Sequence, residues 1–480
     1  HPHNGGGFVI LNRNLPTGNG IVELNGNIIS QLQTGAGNVR GGTVAFYSPT
    51  GILVGSAAAF DVGSLILTAA DPDPLSFQEF GAGSGALNLA TAPGSQARVQ
   101  VAPGATINST AENSFLALVA PQVIMNGDVR VNGSTAYVAA EAVEVTLNNG
   151  LFDIVVTTGT SVAAAIVHGG STGGPARTGT DANQVIYAVG VGQAQAVQLV
   201  FGGDLGFDPA TDASIVNGEV ILSAGSNVAA RDFIAAPGAA SANLLVGNVN
   251  VTSTFSAFAT GDATVGADGN GDSVFESDVS VRGTASAGLY ANGGNVAVIG
   301  DVRISSDAIG GDIGATDDPA LADATAGIAR LVAEDGALLL VQGDVTVTAN
   351  ATGGGGPDGG DATGGIAGLI AMGGNIQVGG EIVATADAIG GDASVGFGGQ
   401  GGAAEGGTAF VQAQSPGIGQ LIGNSASLSV NATGGAGGAG NGSIEAGAGG
   451  EARAGLYDAA INTGGAFVLA GREQGNVALT

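Results

Sequence analysis

The densest set of ligand-type side chains in the chain is Asp268-Gly269-Asn270-Gly271-Asp272, followed by Glu276 and Asp278. Oxygen ligands at alternate positions of a glycine-rich loop suit a hard cation, and Asp268, Asn270 and Asp272 are the residues that would hold Ca²⁺, much as in the first half of an EF-hand loop. The glycine and helices that accompany such a loop are missing, and there is a single copy, so a solvated acidic turn is the competing reading of the same residues. Asp317-Asp318 and the Asp358/Asp361 pair offer fewer oxygens still.

Catalytic chemistry finds little support. No acid/base pair stands at a meaningful spacing, and there is neither a nucleophile elbow nor a phosphate loop. His168 borders a Gly/Thr/Pro-rich loop and reads as a surface residue, while His1 and His3 lie at the start of the chain. β-Helical polysaccharide lyases and hydrolases need a strong base beside metal-binding carboxylates, and aromatic platforms for the sugar. This chain has no Lys, no Trp and 5 Tyr, and its 11 Arg are scattered. A polysaccharide-active enzyme is therefore the remote reading; no catalytic residue and no cofactor apart from calcium is expected.

A formal net charge of −29, from 40 acidic residues, repels phosphate backbones and anionic lipid. Nucleic acid is excluded as a partner. No apolar run approaches the ~18 residues needed to span a bilayer, so membrane insertion is not expected. The acidic excess serves either solubility of a Gly-rich surface or Ca²⁺ binding by acidic loops. Cysteine is absent, which excludes disulfides and thiolate metal sites.

The elements that must position these groups are short strands. From Thr43 to Asp71, and again from Phe115 to Leu147, runs of Val, Ile, Leu and Ala are broken by Gly, Pro, Asn, Ser or Asp at near-regular intervals. Ninety Gly alone would point to disorder, but 44% hydrophobic and only 11% charged residues oppose it, and the small and β-branched residues suit a narrow stacked β-core. Asp71-Pro-Asp-Pro74 cannot sit inside a paired strand and marks an excursion from the stack. The second half is a repeat array whose units open at Gly247, Gly300, Gly343 and Gly380, with a weaker copy at Ala426, at separations of roughly 37 to 53 residues. Fixed strands with loops of variable length are the signature of a solenoid. At about 20 residues and about 4.8 Å per coil, each unit would make two coils. Gly-rich loops such as that following Ala351 read as flexible excursions, or else as loops ordered by packing on neighbouring loops of the stack or on another molecule. The final run, from Gly475 to Thr480, reads as the opening of another coil.

Four motifs in order carry a resemblance. Leu11-Asn12-Arg13 matches an asparagine-arginine turn, and Ser48-Pro49-Thr50-Gly51 an NPNG-type turn whose two Asn are replaced here. FDVGSLILTA from Phe60 matches the strand that follows, and LALVAPQVIMNGDVRVNGSTAYVAAEAVEVTL from Leu116 the later segment. Over roughly its first half the chain thus resembles the secretion domain of filamentous haemagglutinin-like exoproteins of two-partner secretion systems. The resemblance implies export from a Gram-negative bacterium through an outer-membrane β-barrel transporter that recognises this region, and an extracellular or cell-surface location. Asn12, Arg13, Ser48, Pro49, Thr50 and Gly51 are the secretion-motif residues it carries over.

The expected architecture is an all-β, right-handed parallel β-helix with a small extra-helical β element. It divides into a secretion-like β-helix over 1–150, an extra-helical hairpin or loop insertion returning to the coil over 151–227, and a repetitive Gly/Ala-rich stem over 228–480. The expected function is non-enzymatic: a fibrous adhesin acting in attachment and biofilm. The alternative is a subunit that self-associates into an extracellular filament.

Overall fold

The computed structural model describes residues 8–15, 18, 20–34, 37–81, 85–176, 183–209, 218–269, 271–314, 317–394, 398–414, 419–439, 448–453, 465–470 and 476–479. Strands hold 61% of the described residues and helix 3%, so stacked strands supply the core. The architecture is an all-β parallel β-helix, built as two compact units. The first comprises residues 1–261 and 274–278, the second 262–273 and 279–480.

Three parallel ladders run through the first unit. One joins Val9–Arg13, Thr43–Tyr47, Ser64–Thr68, the end of Thr106–Ala120, the middle of Asp128–Asn148, Val185–Gly190, Glu219–Ala224 and Thr254–Ala259. A second stacks Val22–Leu24, Ile52–Val54, Arg98–Val101, Gln122–Met125, Ala164–His168 and the starts of Val197–Phe207 and Ala242–Val251. The third stacks Asn27–Ile29, Ala59–Asp61, the starts of the two long strands, Ser171–Gly174 and the ends of Val197–Phe207 and Ala242–Val251. In-register pairing lines up one apolar side chain per coil: Ile52, Val99, Val123, Ile166, Leu199 and Leu244 form such a column, and all are buried.

From Thr43–Tyr47 to Glu219–Ala224 the first ladder is buried on both faces because an antiparallel sheet lies over it. That sheet joins Asp71–Pro72, Leu87–Ala90, residues 140–148, Leu151–Gly159, Ser226–Ala229 and Asp232–Ala235, with the helix Pro74–Gly81 beside it. Double-sided burial is why strands such as Ser64–Thr68 and Val185–Gly190 read as unbroken apolar runs instead of alternating. Four rings stitch the layers edge to face, Phe80 to Phe115 to Phe152 to Tyr187, with centroids 5.8, 6.0 and 5.9 Å apart. The extra-helical element is thus larger than expected. Of residues 151–227, the strands Leu151–Gly159 and Ser226–Ala229 belong to it, while the strands from Ala164 to Phe207 lie in the coil ladders. The excursion does begin at Asp71, but Asp71 and Pro72 lie in a paired strand where none was expected, antiparallel to Leu89 and Ala90; the proline is tolerated because this two-residue strand is at the edge of the sheet. Asp73 then caps the helix, accepting the Ser76 amide at 2.8 Å.

The repeat opening at Gly247 makes two coils, the second from Val279–Gly283, Ser286–Asn292 and Val296–Val298, but from Gly300 onward the repeat is one coil, not two. Each unit contributes one strand to each of three ladders, as with Val302–Ser305, Ile328–Glu334 and Leu338–Val341. The residues that would have made a second coil form a side stack instead. Its outgoing column is Ala308–Ile309, Ala351–Thr352, Ala388–Ile389 and Ala432–Thr433. The returning column is Ala324–Thr325, Ala362–Thr363, Ala404–Glu405 and Ala452–Arg453. Between the columns runs a glycine seam in which Gly391 N–H donates to Gly360, Gly402 to Gly391, Gly435 to Gly402 and Gly450 to Gly435, all at 2.8–2.9 Å. A Cβ on Gly402 would lie 1.9 Å from the Gly360 carbonyl oxygen. Of the two readings of the Gly-rich loops, packing on neighbouring loops of the stack is the one observed, because glycine alone allows backbones this close.

Candidate functional site

The motif-bearing residues gather on the first coils. Asn12 and Arg13 end the strand Val9–Arg13. Asn12 donates through Nδ2 to the Ala45 carbonyl of the next coil at 3.2 Å. The Arg13 guanidinium reaches Asp71 at 2.5 Å and the Pro72 carbonyl at 2.7 Å, and lies 5.5 Å from the centroid of the Tyr47 ring. Arg13 therefore ties the first strand to the point where the chain leaves the coil. Burial, and then the nearby Asp71 carboxylate, push the Tyr47 hydroxyl above its ordinary pKa, with Arg13 opposing.

Ser48-Pro49-Thr50-Gly51 is a tight turn closed by the Gly51 N–H on the Ser48 carbonyl at 3.0 Å, with proline at its second position. Where the family pattern has two Asn, the Ser48 and Thr50 hydroxyls share a hydrogen bond of 3.1 Å, and Thr50 donates to the Gly20 carbonyl at 2.8 Å. Gly51 has φ of 99°, and a Cβ there would meet the Arg98 carbonyl oxygen at 2.5 Å. Only glycine fits.

Beside Arg13 opens a groove of about 430 Å³. Leu89, Ala90, Ala142 and Val143 give it an apolar floor, and Asp71, Asp73 and the prolines 72 and 74 form part of its rim. The pairing of 140–148 with Leu151–Gly159 slips register at Ala142, beneath this groove. Such a surface can hold an extended apolar segment.

The calcium candidate resolves differently for each residue. Asp268 ends the strand Asp262–Asp268, with Asn292 Nδ2 3.5 Å from its carboxylate. Asp272 accepts the Asn295 backbone N–H at 2.8 Å. Asn270 lies outside the described residues. Among the described residues no three His, Asp or Glu side chains converge as a metal would require. The lesser candidates are also engaged by backbone: Asp317 accepts from Gly314, Asp318 from Ala320, Asp358 from Gln400 and Asp361 from Ala403.

The Asp317 and Asp318 bonds are local, but those of Asp358 and Asp361 belong to a coil-to-coil device not foreseen from the sequence. Asp301 accepts the Asp344 amide and Asp344 the Glu381 amide, each one coil on. Asp307, Asn350 and Asp387 likewise accept from Asn350, Asp387 and Asn431. The signal was available, since SSDAIGG, TANATGG, TADAIGG and SVNATGG place Asp or Asn at one offset in successive repeats.

His168 is a correction. It is not on the surface but 2% exposed, in a column between Met125 and Phe201. Its Nδ1 is 2.8 Å from the Gly202 carbonyl, and its Nε2 2.8 Å from the Thr172 hydroxyl, which in turn is 2.7 Å from Tyr137 Oη. A neutral ring satisfies this chain: Tyr137 donates to Thr172, Thr172 to Nε2, and Nδ1–H to the carbonyl. Burial lowers the imidazole pKa to about 4, against the hydrogen bond to Gly202 and the charge of Asp204.

The fold and these contacts define an all-β protein of the parallel β-helix class. No family model matches the chain, and no curated protein matches it either.

Proposed function

We propose that the chain is an exported, non-enzymatic exoprotein of the two-partner secretion type, recognised through its first coils by an outer-membrane β-barrel transporter of a Gram-negative bacterium. It then acts outside the cell in surface attachment. The observation that carries the reading is the Arg13 junction. Two of the four sequence motifs of the resemblance meet across adjacent coils, where Arg13 joins the root of the excursion at Asp71 and stands over Tyr47, next to the Ser48–Gly51 turn. A parallel β-helix adds to it, because each emerging coil finds its hydrogen-bond partners and apolar column on the coil before it, so folding proceeds with no energy source outside the cell.

The test is export from a host carrying the transporter encoded with this chain, read by accessibility to external protease. Wild type should reach the surface with the transporter and not without it. Arg13→Ala and Asn12→Ala should accumulate inside. Transporter-independent export, or full export of both variants, would remove the reading.

A further inference from the structure

Arginine is scarce in this chain and mostly engaged. Arg13, Arg40, Arg130, Arg231 and Arg453 each hold a carboxylate. Arg330 differs: it is half-buried, its Nε–H is sealed from solvent with no acceptor, and no carboxylate among the described residues pairs with it. An unpaired, partly desolvated guanidinium is costly, and in a chain with 40 acidic residues its isolation needs a reason.

Strand alternation sets its direction. Ala329, Leu331 and Ala333 are buried inside the coil, so Arg330 stands on the outward face of Ile328–Glu334. In register on either side of it are Gly288 and Gly368. A Cβ on Gly288 would come 2.2 Å from the Tyr290 ring, and one on Gly368 2.8 Å from the Phe410 ring. Each glycine thus has an aromatic ring laid over it, and Arg330 emerges between them. Tyr290, Ile328, Ile366 and Ile370 continue this outward face at half burial.

The strip has two unmet halves: planar N–H donors that match a carboxylate, and half-open apolar surface. We propose that it binds an acidic polysaccharide, the Arg330 Nη groups taking a uronate carboxylate while Tyr290 and the isoleucines take the apolar face of the sugar ring. A neutral glucan would gain only the stacking, and a sulfated glucan carries its charge on an ester arm that sets the anion farther from the stacked ring than a uronate carboxylate is. The inference deepens the attachment reading by naming a ligand class and rests on it only for biological use. Binding is read on the purified chain, so its failure leaves the export result standing.

The experiment is retention of the purified chain on immobilised polygalacturonate, dextran and dextran sulfate at low and moderate salt. The chain should be retained on polygalacturonate, and roughly tenfold less or not at all on dextran. Arg330→Met, which keeps the apolar stem and removes the unpaired charge, should lose roughly tenfold in affinity with an unfolding midpoint equal to or above that of wild type, and Arg330→Lys should recover only part of the binding, since an ammonium lacks the planar fork. Arg303→Met, on another face, should bind as wild type. Equal retention of Arg330→Met and wild type, no retention of wild type, or dextran sulfate bound as tightly as polygalacturonate would each overturn the proposal. If Arg330→Met lowers the unfolding midpoint, competition on the wild-type chain decides: free galacturonate must displace the polymer and galactose must not.

Discussion

The backbone N–H of Asn431 donates to Oδ1 of Asp387 at 2.6 Å, and the Asp387 amide in turn donates to Asn350 at 2.8 Å, one coil earlier. Asp and Asn perform the same task on successive rungs because it needs only a short side chain with an sp² oxygen. Asp387→Asn should therefore leave stability within about 0.5 kcal/mol of wild type, while Asp387→Ala should cost about 1–2 kcal/mol, as loss of a helix cap does. Urea unfolding of the two variants distinguishes them; equal losses would mean that charge, not acceptor geometry, matters at this rung.

At the glycine seam the expected penalty is steric. Gly402→Ala drives a methyl against the Gly360 carbonyl oxygen, 1.9 Å from where it must sit, and should cost about 3 kcal/mol or dislodge the side stack. Gly311→Ala, whose nearest neighbour would be at an ordinary 3.5 Å, should stay within about 0.5 kcal/mol. Thermal unfolding and limited proteolysis of the side stack check both.

His168 links stability to pH with a definite sign. Folded, its pKa is about 4, below the ordinary value of about 6.5, so the unfolded chain binds the extra proton between those limits. Stability should be full above about pH 7 and fall as the pH drops through that window, by about 3 kcal/mol in total. Carboxylates add little between about pH 5 and 6.5, which isolates the effect. Unfolding free energies of wild type and His168→Gln across that range should show the slope only in wild type.

Arg13 should matter little to stability. Its ion pair with Asp71 is partly exposed, with side chains 33% and 49% accessible, and such pairs contribute less than about 1 kcal/mol. Arg13→Ala should unfold close to wild type. A large loss would assign the junction a structural role and weaken any export defect as evidence of recognition.

For calcium, the Asp272 bond to the Asn295 amide gives its carboxylate a protein partner. Asp272→Ala should lower the unfolding midpoint equally in Ca²⁺ and in chelator. A midpoint of the wild-type chain that rises with Ca²⁺ and loses that rise in the variant would restore a metal site on this loop.

The sequence alone determined that strands stack. Apolar runs between Gly, Asn and Asp corners, and fixed strands with variable loops, have one economical solution, and the columns from Ile52 to Leu244 in one unit and the repeats opening at Gly300, Gly343 and Gly380 in the other realise it. The Ser48–Gly51 turn was equally legible, because its proline and glycine act locally. What only the tertiary structure decided depends on partners far along the chain. His168 is apolar-core or surface according to what stacks on it, and those neighbours, Met125 and Phe201, come from other coils. Antiparallel pairing of residues 71–72 through 235 hinges on sheet contacts that no local pattern encodes. The count of coils per repeat turned on whether Gly-rich loops close on themselves, and the seam from Gly360 to Gly450 does so through backbone approaches that leave no apolar trace in the sequence.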